Sequence, residues 1–231
     1  MATIKFGGGI TQMSGSLAGT VFARNRYGNY TRPRTKPVNP RSSNQIVIRS
    51  ALSYFTQRWH DTLSAAQRTG WNSYAAAVAM KNRLGETIYL TGFNMYLRTN
   101  IVRKQLGQTT CDDGPTVISL PEKDTALVLT ASVAANKLSI AWTDDLPWTG
   151  IADSVMGIWM GVPQLATRNF FNGPWRLAGS WPGDDETNPY LMAAPFTLIL
   201  GQKIWAYSRI STGPTDSRLS EPMVMSCVVS A

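Results

Sequence analysis

The spacing of hydrophobic positions divides the chain into regions. Residues 1–40 show no sustained period apart from a short alternating ribbon, residues 41–107 repeat apolar residues every three or four positions, and residues 125–231 alternate apolar with polar residues. A period of 3.6 predicts amphipathic helices, and a period of two predicts half-buried strands. The pattern predicts an α+β multi-domain chain: an extended arm and β-hairpin (1–40), a small helical domain (41–107), a linker (108–124) and an all-β sandwich domain (125–231).

Three helices are predicted in the helical domain. Ser42 or Ser43 can cap the first, and Ser64 and Gln67 have the spacing of a capping box at the start of the second. Gly70 is expected to weaken that second helix by up to about 1 kcal/mol relative to alanine. The residues predicted to face inward are Ile48, Leu52, Phe55 and Trp59, then Trp71, Tyr74, Ala75 and Val78, and finally Phe93, Tyr96, Leu97 and Ile101.

The ribbon "GTVFARNRYGNYTRPRTKPVNP" (19–40) alternates aromatic residues with arginines. It predicts a strand over 20–26, a turn at Tyr27–Asn29, a return strand over 30–34 and an extended segment that its prolines keep out of any central strand. Residues 1–18 are expected to form a flexible arm or one ordered by a partner, because consecutive glycines resist both helix and strand.

The C-terminal region contains strand-like runs with turn clusters between them. Six or seven strands in this length, with Trp142 in the second and Tyr207 near the penultimate, resemble an immunoglobulin-like or fibronectin type III-like sandwich. The runs are "ALVLTASV", "KLSIAWT", "SVMGIWMGV", "WRLAGSW", "QKIWAYSRIS" and "PMVMSCVVS", and the turns are Ala135-Asn136, Asp144-Asp145, Pro182-Gly183-Asp184 and Gly213-Pro214.

Charge separates the two halves of the chain. Residues 1–110 contain 15 Lys or Arg and 2 Asp or Glu, whereas residues 111–231 contain 7 and 12. The basic half is therefore expected to face something acidic: nucleic acid, an acidic protein surface, or the acidic half of another copy. No apolar run is long enough for a membrane span, and "MATIKFGGGI" lacks the apolar core of a secretory signal.

Enzyme and metal chemistry find little support. His60 is the single histidine, so a Ser-His-Asp arrangement would have to use it with Asp61 and Ser64, which are too close in sequence to face one another on a helix. Cys111 and Cys227 cannot complete a zinc site, and free thiols are favoured over a disulfide. The acidic runs at 112–113, 144–145 and 184–186 lack the D-x-D-x-D-G spacing of a calcium-binding loop. The glycines at 7–9 and 15–20 lack the phosphate-loop pattern. We expect no catalytic residues, no metal and no cofactor.

The basic, aromatic ribbon is the best candidate site. A protein interface is favoured, because Tyr and Arg are enriched there; nucleic-acid binding and a merely protective basic edge remain open. A carbohydrate-binding sandwich that uses Trp148, Trp159, Trp175 and Trp181 is a further alternative. The predicted partner-binding residues are Phe22, Arg24, Arg26, Tyr27, Tyr30, Arg32, Arg34 and Lys36.

The segments "GTVFARNRYGNYTRPRTKPVNP", "LSAAQRTGWNSYA" and "TGFNMYLRTNIVRKQLG" resemble a module of virion-associated proteins in tailed bacteriophages and prophages, over about residues 5–107. This resemblance implies a non-enzymatic particle component, assembled in the host cytoplasm, that binds major capsid, tail or connector subunits and copies of itself. A capsid cement or decoration role is favoured over a tail or connector role. The resemblance implies no catalytic residues.

Overall fold

The computed structural model describes residues 2–82, 84–142, 146–184, 187–213 and 215–231. Within them the chain contains three α-helices and antiparallel strands in several sheets, so the predicted α+β class is confirmed. In chain order, an N-terminal sheet precedes the helices, and two further sheets follow them. The predicted turn at Asp144-Asp145 lies outside the described residues, as does Pro214 of the turn at Gly213-Pro214.

The N-terminal sheet has four strands in the order β1-β4-β3-β2. The hairpin between β3 and β4 follows the predicted alternation, whereas the two short outer strands lie in the segment expected to be flexible. Their bounds are β1 (Ala2–Ile4), β2 (Gly15–Leu17), β3 (Thr20–Asn25) and β4 (Gly28–Pro33). The segment was expected to be flexible or ordered by a partner; in the structure these two strands pair with the hairpin of their own chain.

The first helix, α1 (Ser43–Asp61), begins after Ser42 as predicted and buries Ala51, Phe55 and Trp59. The Ser42 side chain makes no capping hydrogen bond, so only the position of the cap agrees with the prediction. Leu52 was predicted to face inward, but its side chain is 44% exposed. The buried residues recur every four positions, and Leu52 lies one position, about 100° of helix rotation, away from Ala51. The small Ala51 therefore occupies the place that the sequence analysis gave to Leu52.

The second helix, α2 (Ala65–Ala77), has the predicted capping box: the Ser64 hydroxyl accepts from the Gln67 backbone N–H, and the Gln67 side chain accepts from the Ser64 N–H. The predicted inward stripe of Trp71, Tyr74, Ala75 and Val78 is fully buried. A small hairpin, β5 (Ala79–Lys81) with β6 (Thr87–Tyr89), leads to the third helix.

The third helix, α3 (Gly92–Gln105), is central, because it packs on α1, on α2 and on a strand of the C-terminal region. Of its predicted inward residues, Tyr96 and Leu97 are buried, whereas Phe93 and Ile101 are half-buried. Contacts on several sides also bury polar groups that an amphipathic pattern would place in solvent; these are Thr99, Asn100 and Arg103.

Residues 106–127 contain no helix or strand and pack against the helices. The Asp112 carboxylate accepts two hydrogen bonds from the Arg58 guanidinium, at 2.8 and 2.5 Å, and the Asp112 carbonyl accepts from Trp71 Nε1 at 2.9 Å. The Asn100 side chain bonds both the N–H and the carbonyl of Cys111. The segment predicted as a linker is thus fixed to the helical region by specific contacts.

The C-terminal region contains two antiparallel sheets, ordered β10-β9-β12-β13 and β11-β8-β7. Residues of both sheets form one hydrophobic cluster that includes Leu138, Ile140, Ile158 and Ile204. The turn predicted at Ala135-Asn136 is present. The strands are β7 (Val128–Ser132), β8 (Lys137–Ala141), β9 (Val155–Gly161), β10 (Trp175–Pro182), β11 (Tyr190–Ala193), β12 (Lys203–Ser211) and β13 (Met223–Val228), with a short 3₁₀ helix at Pro147–Gly150.

Two arginines of α3 join the helices to the C-terminal region. Arg98 donates to the carbonyls of Leu219 and Ser220, both at 2.8 Å, and Arg103 donates to the Thr212 carbonyl at 2.7 Å. Beside them, Val102 of α3 and Leu106, the residue directly after it, pack against Trp159 and Leu219. Buried, charge-assisted hydrogen bonds of this kind fix orientation as well as adding stability.

Candidate interaction surface

The β3–β4 hairpin is closed by a two-residue loop, Arg26-Tyr27, because Asn25 pairs directly with Gly28. The turn therefore lies one residue before the predicted Tyr27–Asn29. Gly28 has φ +119°, a conformation that side-chain-bearing residues rarely adopt, so the glycine determines where the return strand begins. Tyr27 is thereby placed at the tip of the hairpin.

The strand register distributes the predicted site residues over both faces of the sheet. Phe22 lies opposite Thr31 and Arg24 opposite Asn29, whereas Tyr30 lies opposite Ala23 and Arg32 opposite Val21. Cross-strand partners share a face, and neighbours along a strand alternate. Phe22 and Arg24 consequently occupy one face, and Tyr30 and Arg32 occupy the other. The ribbon is a two-sided surface, not a single stripe.

The N-terminal sheet has no interior of its own. Within residues 3–40 every side chain is half-buried or exposed, and none is buried. Leu17 on an edge strand is 65% exposed, and Val38 in the proline-containing segment is 87% exposed. Sheets gain independent stability by packing a hydrophobic face on something. In this one the side chains on both faces remain at least partly exposed.

The positively charged side chains of the ribbon (residues 19–40) largely lack neutralising partners among the described residues. Arg24 donates to the Gln12 side chain at 3.2 Å. In the part of the chain that the structure describes, Arg26, Arg32, Arg34 and Lys36 make no side-chain hydrogen bond or ion pair. Exposed charges act over about 10 Å at moderate ionic strength, so neighbouring cations here reinforce one another.

Among the described residues, three side-chain contacts join the N-terminal segment (residues 2–40) to the helical region. Lys5 forms an ion pair with Glu86, Asn94 Nδ2 donates to the Tyr27 hydroxyl at 3.3 Å, and Arg49 donates to Asn39 at 2.9 Å. The hydrogen bond from Lys5, with a second from Asn82, lowers the pKa of Glu86. The segment is therefore anchored to its own chain, and the predicted site residue Tyr27 takes part in that anchoring.

The residues examined for catalysis have structural roles. The Ser64 hydroxyl caps α2, and His60 is exposed near the end of α1, so no Ser-His-Asp arrangement is assembled there. Asp112 pairs with Arg58, and Asp113 accepts from Gln67 at 2.9 Å. The acidic residues at 144–145 and 185–186 lie outside the described residues. Gly15–Leu17 forms β2, and β3 follows, so the 15–20 segment runs between strands and not from a strand into a helix.

Three of the four tryptophans considered for carbohydrate binding are buried: Trp148, Trp159 and Trp181. Trp175 is half-buried and lines an open pocket together with Trp205 and Tyr207. This pocket was not predicted. The signal available in the sequence was the alternation in "QKIWAYSRIS", which places Trp, Tyr and Arg on one face of a strand.

Cys111 and Cys227, both in described segments, are not joined by a disulfide. Among the described residues, no group of three or more His, Cys, Asp or Glu side chains is arranged to hold a metal ion. None of the described helices has the length and apolarity needed to cross a bilayer. No protein-family model matches the chain, and the search of curated proteins found no match.

Proposed function

We propose that this chain is a non-enzymatic structural component of a bacteriophage particle. In this proposal the basic N-terminal sheet binds neighbouring subunits, most favourably as a capsid cement or decoration protein. The observation that carries the proposal is a four-stranded sheet with no buried residue between positions 3 and 40. Such a sheet gains little stability from its own chain, so binding to neighbours would supply the missing burial.

The placement of charge supports a protein partner over a nucleic acid. A protein that tracks a phosphate backbone benefits from cations along one line. Here Arg24 and Arg32 lie on opposite faces, and Phe22 and Tyr30 are likewise divided. A two-sided surface suits insertion between two protein subunits, each covering one face. The exposed segment after β4, held extended by Pro37 and Pro40, suits a strap across the boundary between them.

The C-terminal region is proposed to be a fibronectin type III-like sandwich that projects from the particle. Strand order supports this: β7, β8 and β11 share one sheet, and β9, β10, β12 and β13 share the other. The chain crosses between sheets after its second, fourth and fifth strands, as in Greek-key sandwiches. The basic N-terminal half would then contact the particle, and the acidic half would face outward.

The test replaces Arg24, Arg26, Arg32 and Arg34 by Gln and follows incorporation into particles by mass spectrometry of purified virions. A matched control removes the same charge from exposed sites outside the sheet, at Arg41, Lys81, Lys123 and Lys137. We expect the control to be incorporated and the arginine variant to be lost from particles. Equal incorporation of both variants would refute the proposed interface.

The same variants separate the nucleic-acid alternative. Affinity for a duplex DNA oligonucleotide is measured across salt concentrations, and DNA binding predicts a steep linear fall of log K with log salt. If the arginine variant loses DNA binding but enters particles normally, the chain is a nucleic-acid-binding protein and the structural proposal is wrong. A tail or connector role, in place of cement, would appear as incorporation into tail fractions only.

A further inference from the structure

The outer face of the sheet β10-β9-β12-β13 is aromatic. On β12, Ile204, Ala206 and Ile210 belong to the hydrophobic cluster between the sheets. Because strand residues alternate, the side chains of Trp205, Tyr207 and Arg209 point the other way. An outward face with two aromatic rings and a guanidinium differs from the small polar residues usual on a solvent-facing strand.

Part of this outer face is left open as a pocket. The C-terminal end of α3 covers one part, where Val102 and the following Leu106 pack against Trp159. Beside it lies a cavity of about 560 Å³ whose walls include Trp175, Tyr207 and Arg209. Its volume is within the range of about 300–1,000 Å³ typical of small-molecule sites, and its lining is mostly apolar with few polar groups.

Ring contacts hold Trp175 and Tyr207, which form the aromatic wall of the pocket, in fixed positions. Tyr207 stacks on Trp159 with ring centroids 5.0 Å apart and an interplanar angle of 8°. Trp175 meets Tyr207 edge to face at 5.0 Å and 83°. At the rim, the Phe170 side chain is 68% exposed. Rings fixed by one another lose little further entropy when a ligand packs on them.

Arg209 supplies a half-buried cation, and the opposite charge of Glu221 only partly offsets the effect of burial on its pKa. Among the described residues its side chain makes no hydrogen bond and no ion pair, and its Nε is buried without a partner. Burial lowers the pKa of Arg209, and burial together with the charge of Arg209 lowers the pKa of Arg98 to about 10. A desolvated, unpaired guanidinium is costly, and a bound carboxylate that accepts two hydrogen bonds would offset that cost.

Two amides complete the pocket. Asn169 and Asn172 line it, are exposed, and make no side-chain hydrogen bond with any other described residue. Each offers one acceptor and two donors to a ligand. The site therefore presents two aromatic rings set nearly at right angles, two amides suited to hydroxyl groups and one guanidinium suited to a carboxylate.

We propose that this pocket binds a hexuronic acid unit of an acidic polysaccharide. A pyranose ring has an apolar C–H face that packs on the wall of Trp175 and Tyr207, and its hydroxyls bond the amides of Asn169 and Asn172. Its carboxylate pairs with Arg209 in the bidentate geometry that makes arginine–carboxylate contacts strong. A neutral sugar lacks the last contact, so the pocket discriminates by charge.

The test measures calorimetric binding of a tetramer of galacturonic acid and of its fully methyl-esterified form, which is uncharged. We expect the acid to bind at least tenfold more tightly than the ester. Arg209→Met keeps side-chain length and should remove that preference, and Trp175→Ala should weaken both ligands. Arg176→Met, at an exposed cation on the same strand as Trp175, is the matched control and should bind like the wild type. Unchanged far-UV circular dichroism checks that the variants fold.

Four results would overturn the proposal. The first is equal affinity for acid and ester, and the second is unchanged binding by Arg209→Met. The third is loss of binding in the N-terminal arginine variant but not in Arg209→Met, which would show that the polyanion binds the basic sheet. Tighter binding of a peptide with a free C-terminal carboxylate than of the tetramer also contradicts it. None of these outcomes depends on incorporation into particles, so the experiment tests the pocket independently of the proposed structural role.

Discussion

Gly70 in α2 and Gly114 in the segment after α3 lie against each other, and they lead to opposite predictions. A Cβ on Gly114 would lie 2.5 Å from the Gly70 carbonyl carbon and 2.6 Å from the Trp71 backbone nitrogen. A Cβ on Gly70 would lie 3.6 Å from its nearest neighbours, which is ordinary van der Waals contact. The close contact between the two backbones therefore requires glycine at position 114 but not at position 70.

The magnitudes follow from these distances. Gly114→Ala must move backbone against backbone, which as overpacking costs about 1–3 kcal/mol. The displacement also strains the hydrogen bond from Trp71 Nε1 to the Asp112 carbonyl, worth about 1 kcal/mol. We expect a total loss of about 2–4 kcal/mol in the free energy of unfolding. Gly70→Ala should instead gain up to about 1 kcal/mol, because it removes a glycine from a helix interior.

Urea unfolding followed by circular dichroism at 222 nm measures both changes. At a slope of about 2–3 kcal/mol per molar, Gly114→Ala should unfold about 1 M earlier than the wild type, and Gly70→Ala should unfold slightly later. Gly150→Ala, where no atom lies within 4 Å of the added Cβ, is the neutral control. A Gly114→Ala midpoint equal to that of the wild type, or an equally early Gly70→Ala midpoint, would refute the reasoning.

Two further predictions concern pH and thiol chemistry. Because the Lys5 hydrogen bond lowers the pKa of Glu86, anchoring of β1 should be complete above the usual value of 4.5 and weaken as pH falls through the lowered one. Hydrogen-exchange protection of β1 should therefore drop in acid, and Lys5→Gln should abolish this pH dependence; persistence in that variant would contradict the assignment. Burial raises the pKa of the Cys227 thiol to about 11 from its usual 9.0, so near neutral pH its thiolate fraction falls about a hundredfold. Iodoacetamide should label Cys227 correspondingly more slowly in the folded chain than in urea, and equal rates would argue against burial as the cause.

Local sequence patterns predicted the buried residues well where packing against a single neighbouring element determines which face of a helix is buried. The stripe of α2 and the Ser64 capping box depend on residues three and four positions apart, and both are present as predicted. Leu52 shows the limit of such reasoning, since leucine is the more hydrophobic residue and Ala51 is the buried one. Which of two adjacent positions faces the core depends on where the partner helix lies.

The sequence by itself determined the helical and strand periods, the turn glycines and the unequal division of charge, because each depends on backbone preference or on composition. Tertiary structure decided the rest. Strand register placed Arg24 and Arg32 on opposite faces, and packing of α3 on several neighbours made Arg103 a buried donor to the Thr212 carbonyl. Pairing of β9, β10, β12 and β13 placed Arg209, which makes no hydrogen bond or ion pair with another described residue, beside the rings of the pocket. Contacts between distant segments fix these features, and no local pattern records which segments meet.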